Sequence, residues 1–387
     1  MIDFVFQNPT KIYFGKSALS NLKSEAAHWG ERVLLVYGGG SIKRTGVYDQ
    51  VMAQLAGTQV WELGGVQPNP RLSLVREGIR LCHEHDIQLV LAVGGGSAID
   101  TAKAVANGAC YDGDVWDLFD GKGRNTEVLP LGTVVTIPAA GSEMSDSCVI
   151  TREEDLCKRG RNTPLNFPKF SILNPEFTYT LPPFQTACGV VDIMAHMMER
   201  YFTRVTHVEL IDRMTEGALK TVVGNAPIVM HEPENYDARA EIMWAGCLAH
   251  NTLFQTGRVG DWASHKLEHE LSALYDIAHG AGLAIVFPAW MKYALAHGGE
   301  AKLAQFAVRV FDVPASGDDA ADAAEGIRRL EAFYRSLGLT TTLTENGIGD
   351  TDFGRMAKRA VAMAGGTLGQ FVPLKAADCE AIYRLAL

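Results

Sequence analysis

The sequence predicts two parts: an α/β domain built on a parallel sheet over residues 1–180, and an all-helical domain over 181–387. Three observations predict this. Before residue 180, short apolar runs bounded by Gly or Pro alternate with stretches of helical periodicity, the pattern of a parallel sheet covered on both faces. After the Pro-rich stretch Asn174–Pro183 the strand signal stops, and Ala, Leu, Met and Glu recur at helical spacing. The length, 387 residues, is too great for one ordinary core and comfortable for two.

Taken in order, Arg32–Tyr37 (RVLLVY), Gln59–Leu63 (QVWEL), Leu89–Val93 (LVLAV) and Gly132–Ile137 (GTVVTI) are expected strands. Helices are expected over Leu72–Asp86 and Ile99–Cys110. In the second half, helices should break at Gly224–Pro227, His231–Pro233 and Asp312–Gly317. The acidic run Asp318–Asp322 suits a solvated helix start.

Composition excludes several function classes. With 47% hydrophobic and 21% charged residues, the chain is neither disordered nor fibrous. A formal charge of −10 argues against a general nucleic-acid binder, whose affinity rests on neutralising phosphates. No apolar run approaches the roughly 20 residues that span a bilayer. The start, MIDFVFQNPTKIYFG, lacks a basic region followed by an apolar stretch, so no signal peptide is expected. The 7 cysteines, odd in number and never in a CxxC pair, suit reduced thiols of a cytoplasmic protein.

Two expected strands end alike: one runs into Gly38-Gly39-Gly40-Ser41, the other into Gly94-Gly95-Gly96-Ser97. Residues without a Cβ let backbone approach a ligand closely. A helix starting at Ser97 would aim free N–H groups and its positive dipole end at the turn, where phosphates bind. Asp100, three residues on, stands in capping-box position. Two such turns at strand C-termini favour a nucleotide ligand over plain tight turns. The ordinary dinucleotide fingerprint fails, because Ile99 stands where a third Gly belongs. A third turn, Thr136–Glu143, adds hydroxyls and backbone donors after another strand.

The helical half carries the titratable constellation. Asp192 and His196 are four apart among Val191, Met194, Ala195 and Met198, hence on one helix face and partly desolvated. His265 and His269 repeat that spacing, and His279 follows. One carboxylate with imidazoles suits a borderline divalent metal such as Fe²⁺ or Zn²⁺, and suits neither a thiol-rich structural site nor a Ca²⁺ cage. Each histidine taken alone is more simply a hydrogen-bonded core or surface residue, and HxxxH here has Lys266 where HExxH has Glu.

Together these motifs resemble the iron-containing (group III) alcohol dehydrogenase family, most closely its NADP-dependent aldehyde reductase and butanol dehydrogenase branch. The resemblance runs through Pro9–Lys16, Pro68-Asn69-Pro70, Gly94–Asp100, Pro138–Glu143, Thr180–Pro183, Gly189–His196 and His265–His279. It implies an N-terminal dinucleotide-binding α/β domain, a C-terminal helical domain and a metal in the cleft between, the two-domain architecture shared with dehydroquinate synthase. It implies Asp192, His196, His265 and His279 as metal ligands, with His269 close to the nicotinamide. It further implies cofactor contacts from Gly38, Gly39, Gly40, Ser41, Asn69, Gly95, Gly96, Ser97, Asp100, Thr136, Ser145 and Lys158. Dimers are common in the family, so a homodimer is expected. Two departures stand out: the family's PATGSE is PAAGSE, with Ala140, and its Leu-Asp-Pro is Leu173-Asn174-Pro175.

The expected activity is reversible hydride transfer between a small primary alcohol or aldehyde and a nicotinamide cofactor. NADP is preferred and NAD possible, because the first turn holds no carboxylate between Glu31 and Asp49 while Ser41, Lys43 and Arg44 could meet a 2′-phosphate. The rivals are a dehydroquinate-synthase-like lyase, which needs Lys and Arg around the metal where only Arg200 and Arg204 are near, and a non-catalytic nucleotide-binding protein.

Overall fold

The computed structural model describes all residues, Met1–Leu387. The chain divides into two compact units: one of Gln7–Leu181 with Pro233–Asn251, the other of Met1–Phe6, Pro182–Glu232 and Thr252–Leu387. No helix is long and apolar enough to cross a membrane.

The first unit carries β1 (Lys11–Phe14), β2 (Arg32–Gly38), β3 (Gln59–Val66), β4 (Leu89–Gly94), β5 (Leu131–Val135), β6 (Ser147–Arg152), β7 (Cys157–Asn162) and β8 (Phe170–Leu173). Its helices are α1 (Leu22–Trp29), α2 (Ser41–Arg44), α3 (Val47–Gln54), α4 (Leu72–Glu84), α5 (Gly96–Gly108) and α6 (Trp116–Phe119). Six strands form one sheet in the order β1-β8-β5-β4-β2-β3, every pair parallel. The strands read as unbroken apolar runs because both faces are covered. Leu34, Val36, Val90 and Ala92 pack with Leu72 and Val75 of α4 and Ile99 and Val105 of α5. Val33, Leu35, Leu89, Leu91 and Val93 pack on the other face with Ala26 of α1 and Val47 and Val51 of α3.

The four expected strands are present, and four more escaped the sequence. β1 and β8 have only 4 residues each, too few for a period to register. β6 and β7 form a separate antiparallel hairpin, and the Lys-Arg-rich β7 (CKRGRN) gives no strand signal. A second correction concerns α5, which starts at Gly96 with Gly95 as N-cap and forms no side-chain cap. The Ser97–Asp100 capping box does not form, because the Asp100 carboxylate reaches across to the Ser142 hydroxyl and the Val149 N–H, at 2.7 and 2.9 Å.

After α7 (Pro183–Tyr201) come α8 (Glu209–His231), α9 (Tyr236–Ala249), α10 (Ala263–Tyr275), α11 (His279–Leu295), α12 (Glu300–Val310), α13 (Asp319–Ser336), α14 (Phe353–Met363) and α15 (Ala376–Leu385). The expected break at Gly224–Pro227 is absent: α8 runs through it, with Pro227 exposed and Leu219, Val222, Ala226 and Val229 buried on the opposite face. Burial of that stripe outweighs the cost of one proline whose side faces water. The breaks near His231 and Asp312 are present. Asp318 caps α13 through Ala320 and Ala321 N–H, but Asp322 is buried and binds Ser316, so the acidic run is only partly solvated.

One helix departs from a simple division at residue 180. α9 belongs to the first unit, where the C-cap His250 places Nδ1 2.9 Å from Ala140 O and Cys247 Sγ lies 3.6 Å from Met144 Sδ. Its helical periodicity was legible; which core it covers was not.

Candidate functional site

α7 is buried on nearly every side, with Ala187, Val191, Met194, Ala195 and Met198 closed off from solvent. A helix apolar all round belongs at the centre of its bundle, and α8, α10 and α11 pack against it. Asp192 and His196 sit in this interior at 5% and 4% exposure, so their polar atoms need partners.

The side chains converge as follows. His196 Nδ1 lies 2.9 Å from both the carbonyl oxygen and Oδ1 of Asp192. Asp192 Oδ1 lies 3.7 Å from His279 Nε2 and 4.0 Å from His265 Nε2. Ligating atoms of Asp192, His265 and His279 all fall within 4.8 Å of one another. Yet Asp192 Oδ1 and His265 Nε2 are buried and complete no hydrogen bond, because the His196 Nδ1 beside Asp192 Oδ1 bonds to the Asp192 carbonyl instead. Two buried polar atoms facing each other at non-bonding distance, with a third imidazole beside them, leave a place that a cation satisfies and a hydrogen bond does not. His196 falls outside this tight group, though its ring centroid is 4.4 Å from that of His265.

The other ring nitrogens decide the tautomers. His265 Nδ1 lies 2.9 Å from Glu199 Oε1, and His279 Nδ1 is hydrogen-bonded to Glu268 Oε2. Both glutamates are fully buried. A carboxylate that takes Nδ1–H leaves Nε2 with its lone pair, the state a metal ligand needs. Burial first, then His196 and His279, push His265 well below the ordinary histidine range, which keeps its ring neutral. Burial alone would raise Asp192, but His196, backed by His279 and His265, holds its carboxyl well below the usual carboxylate range. The donor set fits a divalent ion.

Glu199 and Glu268 were missed by sequence reasoning, although each stands three residues after a histidine, Glu199 after His196 and Glu268 after His265. That spacing marks a shared helix face. Gly280 was also passed over. A Cβ there would stand 2.1 Å from Cys188 O, so only glycine lets the start of α11, with His279, lie this close to α7. His269 is half-buried one turn beyond His265, its ring centroid 5.6 Å from that of His279.

In the first unit, β2 and β4 are neighbours whose following helices α3 and α5 pack on opposite faces of the sheet. That makes the β2/β4 carboxyl edge the topological switch point, where open α/β sheets bind ligands. Both glycine turns lie there, for different reasons. At Gly95 a Cβ would meet Ile137 Cβ at 2.8 Å, and at Gly96 it would meet Ala140 Cβ at 3.2 Å, so packing explains these two. At Gly39 and Gly40 a Cβ would meet nothing within 4 Å, and only Gly40, with φ 90°, has a backbone reason. Neither packing nor backbone conformation requires glycine at the exposed position 39, where a side chain would meet only open space.

The remaining nominated residues take these places. Ser41 is exposed at the start of α2. The Ser97 carbonyl accepts the Thr101 hydroxyl, and the Thr136 N–H donates to Gly94 O at 3.0 Å. Lys158 Nζ donates to Asn69 Oδ1 at 2.9 Å, with Asn69 held at φ 55°. Ser145 is fully buried under Lys103, whose ammonium gathers the carbonyls of Ser142, Ser145 and Ser147 at 2.7 to 3.0 Å. Lys103, which sequence reasoning did not nominate, thus fixes the loop after β5. Glu62 was missed as well: its carboxylate takes Lys43 Nζ at 2.9 Å, so Lys43 is not a free cation beside the turn.

A parallel α/β sheet with glycine turns at its switch point, joined in sequence to a helical unit with a buried carboxylate–imidazole cluster, is the combination expected of a dehydrogenase. Comparison with known proteins narrows the class. Residues 9–175 match the family model for iron-containing alcohol dehydrogenase, and residues 186–387 match the C-terminal model of the Fe-containing alcohol dehydrogenase family. The chain is 47% identical to the probable NADH-dependent butanol dehydrogenase 1 of Bacillus subtilis, covering 100% of both. It is 39% identical to the NADPH-dependent aldehyde reductase YqhD of Escherichia coli, covering 93% of both. The crystal structure of NADH-dependent butanol dehydrogenase A from Thermotoga maritima superposes with a TM-score of 0.95 at 40% identity, over 100% of this chain and 99% of that one. The chain belongs to the iron-containing alcohol dehydrogenase family.

Proposed function

We propose that the protein is a metal-dependent NAD(P)(H) alcohol dehydrogenase/aldehyde reductase that interconverts small primary alcohols and aldehydes. The observation that carries this is the pair of buried orphan atoms, Asp192 Oδ1 and His265 Nε2, with His279 Nε2 facing the same point. When bound, a divalent ion such as Fe²⁺ or Zn²⁺ supplies Lewis acidity at the substrate oxygen, and the nicotinamide supplies or accepts the hydride. Asp192, His196, His265 and His279 are the side chains that would hold the ion. Glu199 and Glu268 keep two of those rings in the ligating tautomer. His269, half-buried beside His279, would hold and pass the proton that the alcohol hydroxyl gives up.

For the cofactor we propose the β2/β4 edge, with NADPH preferred and NADH accepted. Support comes from the open space at Gly39 and Gly40 and from Ser41 at the turn. The relatives divide on this point, one named NADH-dependent and another NADPH-dependent. A phosphate-gripping lyase is disfavoured by the two arginines it would need. Arg200 is 2% exposed, donating to His196 O and stacked on Trp262, and Arg204 donates to Phe371 O.

The test is chelation followed by metal add-back, with butanal and NADPH or NADH followed by absorbance. Activity should vanish with the metal and return with Fe²⁺ or Zn²⁺. Undiminished turnover by metal-free protein would end this proposal.

A further inference from the structure

The glycine turn contains no carboxylate, but one stands beside it in space. Glu62, on the edge strand β3, accepts hydrogen bonds from Tyr37 Oη at 2.6 Å, Tyr48 Oη at 2.5 Å and Lys43 Nζ at 2.9 Å. The Lys43 ammonium also lies over both rings, 5.0 Å from the Tyr37 centroid and 4.5 Å from that of Tyr48. Lys43 sits in the four-residue helix α2 that follows Gly40, and its N–H donates to Gly40 O at 3.1 Å. The turn's lysine is therefore drawn onto a carboxylate and two aromatic faces. Arg44, its neighbour, is exposed and outside this cluster.

We infer that Glu62 is a specificity-determining residue for the cofactor, which lowers the preference for a 2′-phosphate by holding Lys43 in an ion pair. The inference rests on the proposed binding of a nicotinamide dinucleotide at the β2/β4 edge. A 2′-phosphate recruiting Lys43 must break its ion pair with Glu62. A 2′-hydroxyl carries no charge and is indifferent to that pair. The two side chains are 45% and 35% exposed, so solvent screens the pair and the expected effect is modest. Two tyrosine hydroxyls that also point at Glu62 keep the carboxylate in place, which distinguishes this arrangement from a chance surface pair.

The experiment is fluorescence titration of NADPH and NADH binding at low salt, in wild-type protein, Glu62→Gln, Lys43→Met and the double variant. Glutamine keeps an acceptor for the tyrosines and removes the charge. Glu62→Gln should raise the NADPH-to-NADH affinity ratio about fivefold, the scale of a screened ion pair. Lys43→Met alone should move the ratio less than about twofold, and the double variant should lose the gain of Glu62→Gln. An unchanged or lower ratio in Glu62→Gln, with wild type binding both cofactors, overturns the inference alone. So does Lys43→Met that weakens NADPH selectively on the wild-type background. Wild-type protein that binds neither cofactor overturns the proposed function, and the inference with it.

Discussion

His265 Nδ1 lies 2.9 Å from Glu199 Oε1, and the same oxygen accepts the backbone N–H of His265 at 2.9 Å. One carboxylate thus fixes both the ring and the first turn of α10, while its other oxygen takes the Trp262 N–H at 2.5 Å. Glu199→Ala should weaken metal binding by about 10- to 100-fold, the usual cost of losing a partner behind a ligand histidine. Glu199→Gln keeps one acceptor and should lose less. Competition with a chromogenic chelator measures both, and wild-type affinity in folded Glu199→Ala would show that the histidine needs no such support.

Gly280 tests the backbone side of the same site. Its ideal Cβ would stand 2.1 Å from Cys188 O and 2.6 Å from Cys188 C, both backbone atoms that cannot swing aside. Gly280→Ala must therefore push α11 from α7 and carry His279 away from Asp192. Metal affinity should fall by at least about tenfold, with a stability loss of about 1–3 kcal/mol from overpacking. A variant with an unaltered thermal midpoint and unaltered metal affinity would mean the helix start yields at no cost.

How much of this was legible follows from which signals are local. Asp192 with His196, and His265 with His269, announce themselves by residue type and i,i+4 spacing, while the choice of His279 over His269 for the metal set comes from the family resemblance; the glycine turns show by their strand–Gly–helix order. Glu62 did not, because it reaches Lys43 of α2 from the edge strand β3, a contact made only once β2 and β3 pair and one that no spacing rule encodes. The same holds for Asp100, whose local capping role lost to two partners more than 40 residues away. α9 shows the limit for folds: periodicity reports that a helix has an apolar face, not which core receives it. Pro227 shows that a strong local breaker yields when the buried stripe around it is long enough.

The open space at Gly39 leads to a cofactor prediction. Gly39→Asp would put a carboxylate into a volume where nothing lies within 4 Å, so folding should be unaffected. A 2′-phosphate would be repelled by that charge, and a 2′-hydroxyl would donate a hydrogen bond to it. NADPH affinity should fall by at least about tenfold more than NADH affinity, read from paired kcat/KM or titration values. Equal losses for both cofactors would place the adenosine 2′ position elsewhere.

Glu143, on the loop after β5, supplies a pH prediction. Its carboxyl is buried at 2% exposure, Oε1 has no hydrogen-bond partner, and burial pushes it up to about 7 despite the pull of Lys103. The native state therefore keeps this proton while the unfolded chain releases it near the ordinary value of about 4.3. Between those two values the native state binds more protons than the unfolded one, so stability falls as pH rises through the window. Below it the group contributes no penalty, and above about 7 the full penalty remains, on the order of 4 kcal/mol at most. Glu143→Gln removes the titration and keeps the shape. Its thermal midpoint relative to wild type should be higher at pH 8 than at pH 5, because the wild type alone carries the penalty at pH 8. Midpoint differences that are equal at the two pH values would show that Glu143 ionises in the fold as easily as in water, through contacts with solvent that its burial does not suggest.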